Sequence, residues 1–169
     1  MRFVFVHFPF LLLALGISAQ GKLERTLKEM NTESVPYISV VEATALDSTL
    51  FLDTRKKTEY SVSHLKDAVW VGYEAFEPSD MATHVPEKDT PIVVYCSIGV
   101  RSEDIGEKLL ALGYTDVRNL YGGIFAWKNQ GFPVFDAQGR PTERVHAFDA
   151  YWGKLLKEGE KVYDTVKGQ

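Results

Sequence analysis

One cysteine, Cys96, opens the run Cys96-Ser97-Ile98-Gly99-Val100-Arg101, with four residues between thiol and guanidinium. A thiol is a weak nucleophile and a thiolate a strong one; the free pKa of about 8.5 falls beside cations and at helix N-termini. Both influences are written around Cys96. Arg101 carries a permanent charge, and a helical pattern begins within a turn of the cysteine, so its partial positive end points back at the loop. Gly99 can take backbone angles that other residues avoid, which lets successive loop amides turn inward as an anion cradle. The run therefore suits nucleophilic chemistry at sulfur on an anionic substrate. Glu103 and Asp104 would oppose it by raising the thiol pKa if they faced the loop; the expectation is that they face water and complement the helix dipole.

The elements that must position this loop follow from local patterning. Residues 91–95, Pro-Ile-Val-Val-Tyr, give the strongest strand signal in the chain. Residues 102–112 form a helix with Ile105, Leu109 and Leu112 on one face, Ser102 as N-cap and Gly113 at its end. Further strands are expected at 37–41, 50–52, 68–71 and 117–120, and short helices at 22–30, 42–46, 58–62 and 124–129. Residues 74–87, with Pro78 and Pro86, read as a connection. Strands alternating with helices argue for an α/β domain with a mainly parallel five-stranded sheet. Ligands bind such sheets outside the carboxyl ends of strands, which is where Cys96 falls.

The 169 residues are 45% hydrophobic and 25% charged, an ordinary globular composition. With one cysteine there is no disulfide within the chain, no zinc ribbon, no iron–sulfur cluster and no CxxC redox motif. A net charge of −4 argues against a large nucleic-acid surface. No GxGxxG follows a strand, no phosphate-binding GxxxxGK[ST] occurs, and the four histidines lack ligand spacing, so neither cofactor nor metal is expected. Arg2, an apolar run to Leu15 and small residues up to Ala19 read as a secretory signal segment over 1–19, cleaved before Gln20. That places the mature protein in the periplasm or outside the cell. An uncleaved membrane anchor is the alternative, though Pro9 interrupts the run and a spanning helix needs about 20 residues. An odd cysteine in an exported chain flags a free reactive thiol.

Taken in order, Leu52-Asp53-Thr54-Arg55, Glu59-Tyr60, His64 before Ala68, the Cys96–Ser102 run, Leu112-Gly113-Tyr114, Val117-Arg118-Asn119-Leu120, Gly122-Gly123-Ile124 and Ala126-Trp127 resemble a single-domain rhodanese-like sulfurtransferase. The resemblance spans residues 35–134, leaving 20–34 as an N-terminal helix and linker and 135–169 as a C-terminal extension. It implies that Cys96 takes the outer sulfur of thiosulfate or a similar small anion, becomes a persulfide, and passes the sulfur to cyanide or a thiol. Ser97, Ile98, Gly99, Val100 and Ser102 would hold the persulfide charge, and Arg101 the sulfonate end of the donor. Asp53 and Arg55 match the family's D-x-R as a structural ion pair, and His64 its histidine before the third strand, also in a structural role. One departure concerns loop shape: Ser63-His64-Leu65-Lys66-Asp67-Ala68 stands where the family often has Gly-His-Ile-Pro-Gly-Ala.

Beyond Pro133, turn residues suggest a hairpin over 134–147, and Tyr151, Trp152, Leu155 and Leu156 an aromatic helix packing back on the domain. His146, Asp149 and Trp152 are expected to pack rather than line a pocket. Two rivals stand beside the sulfurtransferase. Related cysteine phosphatases place five residues between Cys and Arg, so the shorter loop here favours sulfur over a tetrahedral phosphate. A non-enzymatic binding module, or a carrier loaded by a partner, would keep the fold without thiosulfate turnover.

Overall fold

A computed structural model describes residues 13–164. The chain runs α1 (Leu13–Met30), β1 (Tyr37–Ile38), α2 (Val40–Thr44), β2 (Leu50–Asp53), α3 (Lys57–Val62), β3 (Val69–Trp70), α4 (Pro78–His84), β4 (Ile92–Tyr95), α5 (Arg101–Ala111), β5 (Val117–Leu120) and α6 (Gly123–Asn129). β1, β5, β4, β2 and β3, in that order, form one sheet with every pair parallel. The α/β class and the parallel five-stranded sheet are as the sequence implies.

β4 is buried at all four positions. Its alternation divides the core: Val93 and Tyr95 pack with Leu65, Leu120, Ile124 and Phe125 on one side, and Ile92 and Val94 with Val35, Ile105, Leu109 and Val117 on the other. Side chains of a strand alternate faces, so a strand apolar throughout is a strand covered on both. β4 is thus central, and its carboxyl end delivers Cys96 into a gap between layers.

Three local expectations are corrected. Val40 and Val41 are helical, because Ser39 and Glu42 close a capping box that starts α2 there. Ser102 is not a cap: α5 begins at Arg101 after Val100, and the buried Ser102 hydroxyl donates to Asn119 Oδ1 at 2.8 Å. The connection 74–87 contains α4, begun by Pro78 at its first position, where a missing N–H costs nothing. At the departure from the family's motif, Asp67 has a φ of +55°, a left-handed turn in a residue type that tolerates it.

The tail carries β6 (Val134–Phe135), β7 (Pro141–Thr142), β8 (Arg144–His146), a 3-10 turn (Trp152–Leu155) and β9 (Glu160–Val162). The hairpin is the shorter β6–β7 pair, while β8 runs parallel to β9. Gly153 and Gly159 leave only the 3-10 turn where a helix was expected. Val145, Ala147, Leu155 and Leu156 are buried in the same core as β4. Asn129 at the end of α6 fastens this segment, donating to Leu155 O at 2.8 Å and accepting from Lys157 N at 2.6 Å.

The expected signal segment lies outside the described residues up to position 12; α1 runs unbroken past position 19. Among the described residues no helix is long and apolar enough to cross a membrane.

Candidate active site

The loop after β4 is held from outside by its carbonyls, which leaves its amides free to face inward. Ile124 N donates to Cys96 O at 3.0 Å and Phe125 N to Ser97 O at 3.1 Å, tying the loop to the start of α6. Gly99 O accepts from Asn119 Nδ2 at 2.8 Å and from Asn31 Nδ2 at 2.9 Å. Two glycines make this approach possible. Gly99 has φ of +109°. Gly123 has φ of +54°, and a Cβ there would meet the Cys96 carbonyl oxygen and stand 2.7 Å from the Ser97 carbonyl carbon.

Cys96 is 1% exposed, and Gly99 N donates to its Sγ at 3.2 Å. Burial pushes the thiol pKa up, but Arg101 and the amides of Gly99, Ser102 and Ile98 outweigh it, so the net shift is downward. Of the expected cradle, the Gly99 N–H donates to the sulfur, and the amides of Ile98 and Ser102 add to the lowering of its pKa.

Arg101 is paired within the protein. Its Nη1 donates to Glu59 Oε2 at 2.8 Å, and its Nη2 to Glu59 Oε1 and Ser97 Oγ, both at 3.0 Å. Ser97 Oγ in turn donates to Glu59 Oε1 at 3.2 Å. Glu59 is 1% exposed; burial would raise its carboxyl pKa, but Arg101, Arg55 and the Lys56 amide hold it below the usual range. The guanidinium therefore already has a counter-ion. It acts on the sulfur through its field and presents an ion pair, not an unpaired cation, to the cleft. Glu59 was visible in the sequence only as part of the Glu59-Tyr60 match; nothing local announces a partner 42 positions away.

Glu103 does not face water. It is buried, and its Oε1 accepts from Thr32 N at 2.8 Å and from Ser34 Oγ at 3.2 Å, pinning the segment before β1 to α5. Asp104 accepts from the Tyr73 hydroxyl. Asp53 and Arg55 form a fully buried pair at 2.6 Å, and Arg55 Nη2 also donates to Ser63 O at 2.6 Å, fixing the turn before β3. His64 stacks on Tyr60 at 4.0 Å between centroids and bonds Tyr60 O through Nδ1; it does not line the cleft.

That cleft, about 140 Å³, opens onto Cys96, Ser97, Ile98, Val100 and Arg101. Its remaining lining is Met30 from α1 and Phe148 and Trp152 from the tail. Asp149 caps the 3-10 turn through the amides of Tyr151 and Trp152, both at 2.8 Å. Of the polar-aromatic group in the tail, His146 is buried, Asp149 is exposed at the cap of the turn, and Trp152 reaches the cleft. Among the described residues no cluster of His, Cys, Asp or Glu is placed to hold a metal ion.

Residues 40–130 match the family described as "Rhodanese-like domain". Among curated relatives, a "tRNA uridine(34) hydroxylase" of Yersinia enterocolitica is 36% identical over 119 residues, covering 65% of this chain and 32% of the relative. The same-named protein of Yersinia pestis is 36% identical over 95 residues, 51% of this chain and 26% of the relative. This chain thus spans about a third or less of those relatives. Among solved structures, a thiosulfate sulfurtransferase from Pseudomonas aeruginosa superposes with a TM-score of 0.58 at 22% identity, covering 82% of this chain and 26% of that one. A rhodanese-like domain from Anabaena gives 0.53 at 24%, covering 60% and 79%. These two likenesses concern the fold.

Proposed function

Because the chain belongs to the rhodanese-like domain family, we propose that it is an exported sulfurtransferase working through a Cys96 persulfide. The observation that supports this best is the Cys96 sulfur lying under inward-facing amides, with its pKa lowered despite burial, at the base of an open cleft. The thiolate attacks the outer sulfur of a donor such as thiosulfate. A new S–S bond forms at Cys96, the donor's S–S bond breaks, and sulfite leaves with the electron pair. The persulfide anion is held by the amides of Ile98, Gly99 and Ser102 and by the charge of Arg101. Cyanide or a thiol then attacks the outer sulfur and restores the thiolate, so one transfer becomes two easier ones. Export rests on the signal-like sequence of residues 1–19.

The experiment is intact-mass measurement of the protein after incubation with thiosulfate. The expected result is a gain of one sulfur atom, absent in Cys96→Ser and removed by cyanide. A Cys96 that stays reduced and open to alkylation under every donor tried would reject the mechanism. The name of the Yersinia relatives supplies a second reading, a role in tRNA modification, through their 36% identity. A net charge of −4 weighs against it, since nucleic-acid affinity is dominated by phosphate neutralisation. Retention of labelled tRNA at low salt would favour it.

A further inference from the structure

A carbonyl oxygen has two lone pairs, and at Gly99 both are taken by asparagine amides: Asn119 Nδ2 at 2.8 Å and Asn31 Nδ2 at 2.9 Å. The two donors differ in origin. Asn119 stands on β5, inside the stretch 40–130 that matches the family, whereas Asn31 directly follows α1 and lies outside it. Asn31 is oriented by what it donates. Its Nδ2 also donates to the Tyr37 hydroxyl at 2.7 Å, while its Oδ1 is buried without a partner among the described residues. An acceptor buried unpaired is costly, and the amide bears that cost with both of its N–H groups engaged. The backbone is fixed as well. Asn31 N donates to Leu27 O at 2.8 Å, and Leu27 is buried with its Cδ2 3.6 Å from where a Gly99 Cβ would stand.

We propose that Asn31 is a positioning residue for Cys96: by holding the Gly99 carbonyl away from the sulfur, it keeps the loop in the form that favours the thiolate and the persulfide anion. The proposal rests on the persulfide reading of Cys96 and extends the working site into the N-terminal segment. The reason lies in Gly99. Glycine has no Cβ to restrict rotation, and at φ of +109° this one occupies a region that other residues avoid. The peptide planes on its two sides can therefore turn independently. The plane before it carries the Gly99 N–H that donates to Cys96 Sγ at 3.2 Å. The plane after it carries the Gly99 carbonyl. Turned inward, that carbonyl would set the negative end of its dipole against a negative sulfur; bonded outward, it does not. Asn119 holds one lone pair and itself accepts from Ser102 Oγ at 2.8 Å. A chain of hydrogen bonds thus runs from Ser102 on α5 through Asn119, Gly99 and Asn31 to Tyr37 on β1. Bonds in such a chain reinforce one another, and Asn31 is the link supplied from outside the family stretch.

The test measures, on the full chain, the pH midpoint of Cys96 alkylation by iodoacetamide, with urea denaturation read alongside. In Asn31→Ala the midpoint should rise by about half a pH unit to one unit, the shift expected when the net worth of one hydrogen bond is withdrawn from the charged form. Turnover of thiosulfate with cyanide should fall by about three- to tenfold below the wild-type midpoint, where the thiolate fraction sets the rate, and recover above it. Thr32→Ala controls for loosening of the segment. The Thr32 hydroxyl donates to Glu103 Oε1 at 3.0 Å, on α5 rather than on the loop, so this variant should keep the wild-type midpoint at whatever stability it loses. Where Asn31→Ala does not fold, Asn31→Leu, similar in size and without a donor, decides. A midpoint unchanged in the folded Asn31 variants overturns the proposal and leaves the persulfide reading standing. A midpoint that rises as far in Thr32→Ala also overturns it. No sulfur on wild-type Cys96 from any donor overturns the persulfide reading, and the midpoints still decide whether Asn31 holds the loop for the thiolate.

Discussion

Replacing Glu59 by glutamine separates two effects that one carboxylate exerts. The Glu59–Arg101 contact at 2.8 Å is bidentate and its acidic partner is 1% exposed, while Arg101 retains 18% exposure. At that separation and an effective dielectric of about 20, the gross attraction is about 6 kcal/mol, most of it offset by desolvation. Removing one member of a buried pair typically costs about 3–5 kcal/mol. The amide keeps one acceptor oxygen and Arg101 keeps some water, so a loss of about 2–4 kcal/mol is expected for Glu59→Gln. The Cys96 thiol should respond in the opposite sense. With no carboxylate to balance it, the Arg101 charge acts more strongly on the sulfur, and the thiol pKa falls below its wild-type value. Urea denaturation reads the first effect, and the pH dependence of Cys96 alkylation by iodoacetamide reads the second. Because the folded-state pKa of Glu59 is depressed, its contribution is present above the unfolded glutamate pKa of about 4.3 and is lost as pH falls through the folded value. The stability gap between wild type and variant should therefore close in acid. A Cys96 pKa that rises in Glu59→Gln would refute the reasoning, because Glu59 would then be serving to hold Arg101 against the sulfur rather than to moderate its charge.

Three further outcomes follow from contacts already described. Gly123→Ala places a methyl group against the Cys96 and Ser97 carbonyls at positive φ, so it should cost about 3 kcal/mol or more and slow Cys96 alkylation as the loop is displaced; a urea midpoint equal to wild type would count against the close approach. Leu156→Ala empties a fully buried position where the tail joins the core and should cost about 2–5 kcal/mol by urea denaturation; a change below 1 kcal/mol, on the order of a surface substitution, would mean the tail is not docked in solution. Asp53→Asn leaves Arg55 buried without its counter-ion and should lower stability by about 3–5 kcal/mol, again by urea denaturation; thermal stability equal to wild type would remove the structural role assigned to that pair.

The parts of the site that lie close together in sequence were legible there. Cys96, Gly99 and the following helix sit in one strand–loop–helix unit, so local pattern places the thiol, the loop amides and the arginine. Asp67 shows a left-handed turn taken by a non-glycine, which composition alone does not announce. What stayed hidden depends on contacts across the chain. Glu59 sits on α3 as an ordinary first-turn acid, and only folding brings it to Arg101. Glu103 reads as a dipole-complementing surface acid until the segment at Thr32 and Ser34 arrives to donate to it. Trp152 carries the composition of a packing residue, and its position at the cleft follows from Asp149, Asn129 and the β8–β9 pairing acting together.

The walls of the cleft bear on when, during folding, the thiol becomes protected. Met30 comes from α1, and Phe148 and Trp152 from the tail, while Cys96 lies between them in sequence. Closing such distant contacts carries a loop entropy that the local strand–loop–helix unit does not. The reactive loop can therefore be organised before its surroundings are, and in that interval a thiolate stabilised by its own amides stands in open solvent. A chain that folds where oxidants are abundant would pass through its most oxidisable form before its native one.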